Sequence, residues 1–513
     1  MTQLPANAAK AAKSAEVAEP VERLGAVHFI GMGGVGMSGL ARILCARGVR
    51  VSGSDARDSV VLDGLRALGA RVCIGHDAAN LADAETVVVS SAIRPTNPEL
   101  ALARERGLRI LHRSQALASL MVGRRAVAVA GTHGKTTTTS MLTVALDAAG
   151  DDPSFAIGGE LTGATADRAS AREGTGDVFV AEADESDESF LRYSPTVAIV
   201  TNVEPDHLDH YGTAEAVEAA FEAFTDRIVP GGALVCSADD DGALRLSQSV
   251  RRRRPDVEVI CYGEREGSDV RLVDVRPAEG GIEVTFQPRA GMSVAGRELP
   301  RTGPLRLRVP GRHNAANAAA AWIAGCCLGS DPARLAAGLA GFGGTRRRFE
   351  LKGRAAGIEV RDDYSHHPTE VAAALRGART TLTHQAAGSA GGTTGSRIVV
   401  IFQPHLFSRT RIFATAFGHA LGLADEVIVL DVYAAREDPE PGITGELITR
   451  EVPLPSQRVH FAPTLDDARR VALDLTRPGD LVITMGAGDV TTLGPQLLTE
   501  WAARAERADR PGS

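Results

Sequence analysis

Lysine is almost missing from this 513-residue chain: Lys10, Lys13, Lys135 and Lys352 are its only four, and the other 52 of its 56 basic residues are arginine. A lysine placed inside a motif therefore carries weight. Cysteine is also sparse, with six residues (Cys45, Cys73, Cys236, Cys261, Cys326, Cys327) and no CxxC spacing, which excludes a disulfide framework and a zinc signature and suits a reducing cytoplasm. Long apolar runs are lacking. The longest, Ala318 to Gly329, has 12 residues, where a membrane helix needs about 20, and the first twenty residues have no apolar h-region of a secretory signal. No surplus of positive charge exists either: the net charge of −8 argues against non-specific nucleic-acid binding, and no polybasic membrane patch stands out. What remains, 44% hydrophobic and 23% charged residues, is an ordinary globular composition. At about 150 residues per domain the length points to three domains.

Along the chain, short apolar runs alternate with helix-like intervals, as in parallel α/β layers. Ala26 to Ile30 runs into Gly31-Met32-Gly33-Gly34-Val35-Gly36 and a helix from Met37; Val49 to Ser52 ends at Gly53-Ser54-Asp55, and Thr86 to Ser90 follows. A second unit opens with Ala126 to Ala130 and adds strands at Asp177 to Ala181 and Val197 to Val200. From Val257 to Val309 the period falls to two, so an antiparallel patch is expected before an alanine-rich helix starting near Asn314. After Phe342-Gly343-Gly344 come strands at Ile358 to Arg361, Arg397 to Phe402, Glu426 to Leu430 and Asp480 to Thr484, with Gly388 to Ser396 reading as a surface loop. The expected division is a tail over 1–22, α/β domains over 23–122, 123–340 and 341–502, and a tail over 503–513.

The richest segment is Val127 to Thr137. A buried strand, a glycine turn and Gly134-Lys135-Thr136-Thr137 opening a helix bring backbone N–H groups and a positive dipole end to one point, where a polyphosphate can sit. Lys135 would neutralise the β/γ-phosphates and Thr136 ligate Mg²⁺. The strict Walker spacing fails, because Val129 stands where the first glycine belongs, leaving a shortened Gly131-x-x-Gly134-Lys135-Thr136 loop. Glu182, at the end of the next strand, suits a metal-holding carboxylate, while Asp184, Glu185, Asp187 and Glu188 add negative charge to its loop. Thr201-Asn202-Val203-Glu204-Pro205-Asp206-His207-Leu208-Asp209 places His207 between acids, suited to a second divalent ion. Gly31-x-Gly33-x-x-Gly36 with Asp55 nineteen residues later also satisfies a dinucleotide fingerprint.

These segments, together with Gly311 to Asn317, Arg347-Arg348-Phe349, Asp362 to Glu370, Phe402-Gln403-Pro404-His405 and Ser408-Arg409-Thr410, resemble the Mur ligases of bacterial peptidoglycan synthesis over nearly the whole span from His28 to Gly488. The resemblance implies a three-domain α/β architecture: a Rossmann-like first domain, a P-loop ATPase-like central domain with an added antiparallel patch, and a Rossmann-like last domain. It implies ATP-driven amide bond formation between the lactyl carboxylate of UDP-N-acetylmuramate and L-alanine, through an acyl phosphate, with two Mg²⁺ ions, in the cytoplasm. It assigns ATP to Gly131, Thr132, His133, Gly134, Lys135, Thr136 and Thr137, with His313, Asn314 and Asn317 against adenine and Arg348 near ribose or phosphate. Lys135, Glu182 and His207 would be catalytic, and Thr136, Glu182 and His207 would hold metal. The UDP diphosphate would lie on Gly31, Gly33, Gly34, Val35, Gly36, Met37 and Ser38 with Asp55, while Ser90, Ser91, Ala92, Ile93, Asn97, Pro98 and Glu99 would line the cleft. Tyr364, His366, His367, His405 and Arg409 would close over ATP and the amino acid, and hinge closure is expected.

Two positions depart from the family pattern. Glu222 stands where other members carry a carbamylated lysine, and Leu406 follows Pro404-His405 where relatives usually have arginine. Three alternatives stay open: a ligase that attaches a whole tripeptide to the same sugar nucleotide, an ATP-gated sensor of UDP-sugars without catalysis, and a nicotinamide dehydrogenase. The last leaves the P-loop unexplained. Oligomeric state is not legible.

Overall fold

The first strand, Val27–Ile30 (β1), is buried at every position, as an apolar run covered on both faces of a parallel sheet must be. The computed structural model describes residues 18–162, 170–388, 396–435 and 437–508. The expected loop from Gly388 to Ser396 lies, over 389–395, outside the described residues, as does most of the leading tail. A helix covers Leu493–Ala508, so residues 503–508 belong to it rather than to a tail.

By its internal contacts the chain forms two compact units. One takes the chain up to Val273 with Phe286–Thr302 and Ala316–Gly341; the other takes Asp274–Thr285, Gly303–Ala315 and the chain from Phe342 onward. The first two α/β layers fall in one unit because they share a continuous apolar core, from Leu24 and Phe29 through Leu120 and Met121 to Phe179, Phe190 and Leu234.

In the first layer β1 is joined by Val51–Asp55 (β2), Arg71–Ile74 (β3), Thr86–Val89 (β4) and Arg109–His112 (β5) in the order β3-β2-β1-β4-β5, all parallel. The strand order reverses at β1, so the glycine turn before helix Val35–Ala46 (α1) sits at a switch point, where such sheets take their ligands. The second layer contains Arg125–Ala130 (β6), Ser154–Ala156 (β7), Ala171–Arg172 (β8), Val178–Glu182 (β9), Val197–Val200 (β10), Ala233–Ser237 (β11), Glu258–Gly263 (β12) and Val270–Ala278 (β13). β6 is flanked by β10 and β9, with Val200 beside Ala130 and Glu182 beside Val129. The three polar segments that follow these strands therefore emerge side by side.

The antiparallel patch begins later along the chain than Val257. β12 and the start of β13 extend the sheet in parallel. Antiparallel pairing joins Gly281–Pro288 (β14) to Leu305–Leu307 (β17) in the second unit and Ser293–Val294 (β15) to Arg297–Glu298 (β16) in the first. β14 lies between β13 and β17 in the sheet. The short period begins only where strands have one wet face: β12 is buried over its last four residues, whereas β13 mixes buried and exposed positions.

The second unit's main sheet comprises Glu350–Ala355 (β18), Ile358–Asp363 (β19), Ile398–Phe402 (β20), Glu426–Val429 (β21), Val459–Phe461 (β22) and Leu481–Met485 (β23), ordered β18-β19-β23-β20-β21-β22 and parallel except for the β18–β19 hairpin. Among the described residues no helix is long and apolar enough to cross a membrane, and the six cysteines are free.

Candidate active site

Helix Lys135–Ala149 (α2) starts from Gly134, whose φ of 81° is left-handed. Gly131 has φ 133°, and a Cβ there would lie 2.0 Å from the Thr201 hydroxyl oxygen, so this turn needs glycine for conformation and for space. The neighbouring loop stitches the turn in place. Asn202 accepts from the His133 N–H at 2.7 Å and donates to the His133 carbonyl at 3.1 Å; the Thr201 hydroxyl donates to the same carbonyl at 2.5 Å. Thr132 accepts from the Glu204 N–H at 2.9 Å. Asn317, 6% exposed, packs on Gly134, where a Cβ would meet its Oδ1 at 2.8 Å.

Lys135 folds back over this turn, donating from Nζ to the Gly131 carbonyl (2.8 Å), the Thr132 carbonyl (3.3 Å) and Glu185 Oε1 (2.8 Å). Burial pulls the ammonium pKa down, but the carboxylates of Glu185, Asp184 and Glu182 outweigh it and hold the pKa above the ordinary lysine value. Glu185 is 2% exposed, its Oε2 has no hydrogen-bond partner, and burial pushes its pKa up to about 7 against the pull of Lys135. The sequence marks Glu185 only as one acid in a run; the structure selects it as the one turned onto the lysine. Glu182 accepts from the Thr136 hydroxyl at 3.1 Å and from the Gly158 N–H at 2.8 Å. His207 Nε2 lies 3.7 Å from Glu185 Oε1 and 3.6 Å from Asp206 Oδ2. Both His207 (φ 53°) and Glu188 (φ 59°) hold left-handed backbones, the strain that functional loops tend to store.

At the first layer's switch point, Gly31 (φ 79°) turns the chain, and the N–H groups of Gly31 and Met32 both donate to the Ser54 carbonyl at 2.9 Å. Asp55 accepts from the Gly33 N–H at 2.8 Å. Ser38 is buried and Met37 turns into the core, so Met37 offers only backbone to this turn; of Val35 only the backbone is described. Ser90 is half-buried and Ser91 exposed, and Ile93 approaches Gly31. Glu99 does not line a cleft. Asn97 caps helix Pro98–Glu105, and Glu99, fully buried, accepts from Ser54 at 2.6 Å and from Asn80 at 2.6 Å, with His28 Nε2 at 3.6 Å. An internal polar knot beneath β2 claims that carboxylate instead.

In the second unit, Tyr364 lies under the guanidinium groups of Arg347 and Arg348, 4.8 and 5.4 Å from its ring centre, and edge-on to His366 at 5.3 Å. His366 neighbours His405 at 6.1 Å, which stacks on Tyr433 at 5.9 Å. Tyr433 has no motif around it and is missed by sequence reasoning. Arg348 pairs with Glu370 at 3.5 Å, His367 is buried edge-on to Phe413, and Arg409 is buried in helix Phe407–Leu421. Asp363, also missed, accepts from the Phe349 N–H at 2.7 Å and the Ser365 N–H at 2.8 Å, with its pKa raised by burial. Left-handed backbones recur at Arg347, Phe349 and Leu406. Asn314 bonds the Pro310 carbonyl at 2.6 Å, and His313 lines a cavity of about 670 Å³ with Arg312, Arg376 and Thr380. The enclosing walls and the Arg348 charge push its imidazole pKa down to about 4.

Family comparisons cover most of the chain. The models for the Mur ligase family catalytic domain, the Mur ligase middle domain and the Mur ligase glutamate ligase domain match residues 26–125, 129–325 and 347–488. A UDP-N-acetylmuramate–L-alanine ligase of Kineococcus radiotolerans is 58% identical over 94% of this chain and 97% of its own length; one of Thermobifida fusca is 53% identical over 93% and 96%. Among solved structures, the UDP-N-acetylmuramate–alanine ligase of Thermotoga maritima superposes with a TM-score of 0.73 at 28% identity, covering 93% of this chain and 99% of that one. A murein peptide ligase of Psychrobacter arcticus gives 0.65 at 27%, covering 93% and 98%.

Proposed function

The chain belongs to the Mur ligase family, and we propose how its residues carry out the family's chemistry on domains spanning 23–122, 123–340 and 341–502. The enzyme is an ATP-dependent ligase that joins L-alanine to UDP-N-acetylmuramate in peptidoglycan synthesis. A carboxylate is a poor electrophile, so its oxygen first attacks the γ-phosphorus of ATP, and ADP leaves. The alanine amine then attacks the acyl carbon, the C–O bond to phosphate breaks, and the nitrogen loses its proton. No side-chain nucleophile is needed. Positioning and charge neutralisation are what the protein must supply.

Support comes first from one observation: Lys135, Thr136, Glu182 and His207, from segments far apart in sequence, converge at the ends of β6, β9 and β10. Lys135 neutralises the β/γ-phosphates, and the N–H groups of Gly131 to Thr137 cradle them. Asn317 braces the turn, and His313, Asn314 and Arg348 serve the nucleoside end. Thr136 and Glu182, hydrogen-bonded to each other, would offer a hydroxyl and a carboxylate to one Mg²⁺, His207 would serve a second ion, and the unpartnered Glu185 Oε2 leaves an acceptor open beside it. When bound there, two such ions would offset repulsion between the anionic carboxylate and the triphosphate. Gly31 to Ser38 with Asp55, Ser90 and Ser91 receive the UDP diphosphate. Tyr364, His366, His367, His405 and Arg409 serve the amino acid.

Phosphate release measured with ATP, Mg²⁺, UDP-N-acetylmuramate and single amino acids tests the reading. Release is expected with L-alanine, and in the same assay Lys135→Ala gives none while still binding the UDP-sugar. Release with a tripeptide but not with L-alanine would contradict it.

A further inference from the structure

Burying a carboxylate is costly, and an apolar side chain of similar size is often as stabilising or more so. Glu99, in the first turn of helix Pro98–Glu105, has a side chain with no exposed surface. Its bonds all run to one end of the sheet. Oε2 accepts from the Ser54 hydroxyl at 2.6 Å, while Oε1 accepts from the Asn80 side chain at 2.6 Å and from the Asp77 N–H at 3.3 Å. Ser54 lies at the end of β2, and Asp77 and Asn80 follow β3, its parallel neighbour. The titratable groups facing the carboxylate are His28, with Nε2 at 3.6 Å, and His76, with Nδ1 at 3.5 Å; His76 Nδ1 also meets the Ser54 hydroxyl at 2.9 Å.

The glycine turn after β1 rests on the same residues. The Ser54 carbonyl takes the N–H groups of Gly31 and Met32, and Asp55 takes that of Gly33, so two residues of β2 fix three consecutive N–H groups of the turn. Packing leaves no slack there: a Cβ on Gly53 would stand 2.6 Å from Met32 Sδ and 2.8 Å from the Phe29 carbonyl oxygen. The other carboxylate oxygen reaches this place by a longer route. Asn80 also donates to the Gly75 carbonyl at 3.1 Å, and the Gly75 N–H donates to the Asp55 carbonyl at 2.8 Å.

We propose that Glu99 is a positioning residue for the nucleoside diphosphate sugar: from inside the layer it fixes, through Ser54 and Asn80, the bed on which the Gly31 to Ser38 turn lies. This rests on the reading of that turn as the UDP-sugar site. Glu99 itself touches no substrate. An ionised carboxylate only accepts, and Ser54, Asn80 and the Asp77 N–H all donate to it. A glutamine there keeps one acceptor and turns a donor toward either Ser54 or the loop after β3, which releases one half of the bed. The P-loop turn is held by other partners, Thr201, Asn202 and Glu185, so the effect falls on one substrate.

Steady-state kinetics and calorimetric titration of the full chain with UDP-N-acetylmuramate and, separately, with ADP test the assignment. Glu99→Gln and Ser54→Ala are each expected to raise Kd and KM for UDP-N-acetylmuramate roughly tenfold, with kcat at saturating sugar nucleotide and Kd for ADP within about twofold of wild type. The double variant should lose no more than the weaker single one, because both changes cut the same link. Thr86→Val controls for stability: it removes another buried hydroxyl of this layer, one that donates to the Leu24 carbonyl at 2.6 Å, and it should lower the denaturation midpoint while leaving the Kd for UDP-N-acetylmuramate unchanged. The proposal is overturned if Ser54→Ala binds the UDP-sugar as well as wild type does, if the two losses simply add, or if Thr86→Val weakens the UDP-sugar as much, which would mark a general loosening of the layer. Should Glu99→Gln fail to fold, Ser54→Ala decides alone. Failure of wild type to bind UDP-N-acetylmuramate is a different result: it would strike the reading of the turn itself, and the proposal with it.

Discussion

Lys135 and Glu185 form a buried ion pair, and such a pair is tolerable only while each end keeps a partner. On the proposed reading, nucleotide that drew Lys135 onto its phosphates would leave Glu185 needing positive charge, which would couple triphosphate to cation at this loop. A second buried carboxylate makes a separate prediction. Burial works to raise the Glu99 pKa, but the neighbouring His28 imidazole and the bonds from Ser54 and Asn80 outweigh it and lower the value from 4.5 to about 2. A folded pKa below the unfolded one gives stability that is complete above pH 4.5 and is lost as pH falls through 2, about 3 kcal/mol in all. Urea unfolding between pH 5 and pH 3 should show wild type losing stability more steeply than Glu99→Gln; parallel curves would remove Glu99 as the source. Lys135, Thr136, Glu182 and His207 could be read from the sequence because scarcity and strand-end position single them out. Glu185, Glu99 and Asp363 could not, since an acid in a polar run does not declare which way its side chain turns.

At the level of elements, the clustering of Lys135, Thr136, Glu182 and His207 is a product of strand register. β6, β9 and β10 were each legible as buried apolar runs, but only the order β10-β6-β9 brings their ends together. Strands with wet faces escaped notice: Arg71–Ile74 has no buried residue, and Glu350–Ala355 none either. The turn after β6 makes the sharpest demand on sequence. Gly131→Ala would force a Cβ against Thr201 from a left-handed backbone, at an expected cost of about 2 kcal/mol or more. It should also weaken ADP binding, because the displaced Thr201 braces the His133 carbonyl. Denaturant titration and ADP calorimetry on this variant check both effects; wild-type values in either would show the turn to be more forgiving than its geometry says.

For the whole molecule, the three α/β layers and the family were legible because glycine turns and strand-end polar residues recur in a fixed order. The grouping of the first two layers into one unit was not, since a shared apolar core leaves no local mark in the sequence. What unites the chain functionally is the transfer of a phosphoryl group onto the sugar nucleotide's carboxylate, and an oxygen label follows that event directly. With UDP-N-acetylmuramate labelled by ¹⁸O in the lactyl carboxylate, turnover with ATP and L-alanine should deliver one labelled oxygen into each inorganic phosphate released. Unlabelled phosphate, or label appearing in AMP, would contradict the account.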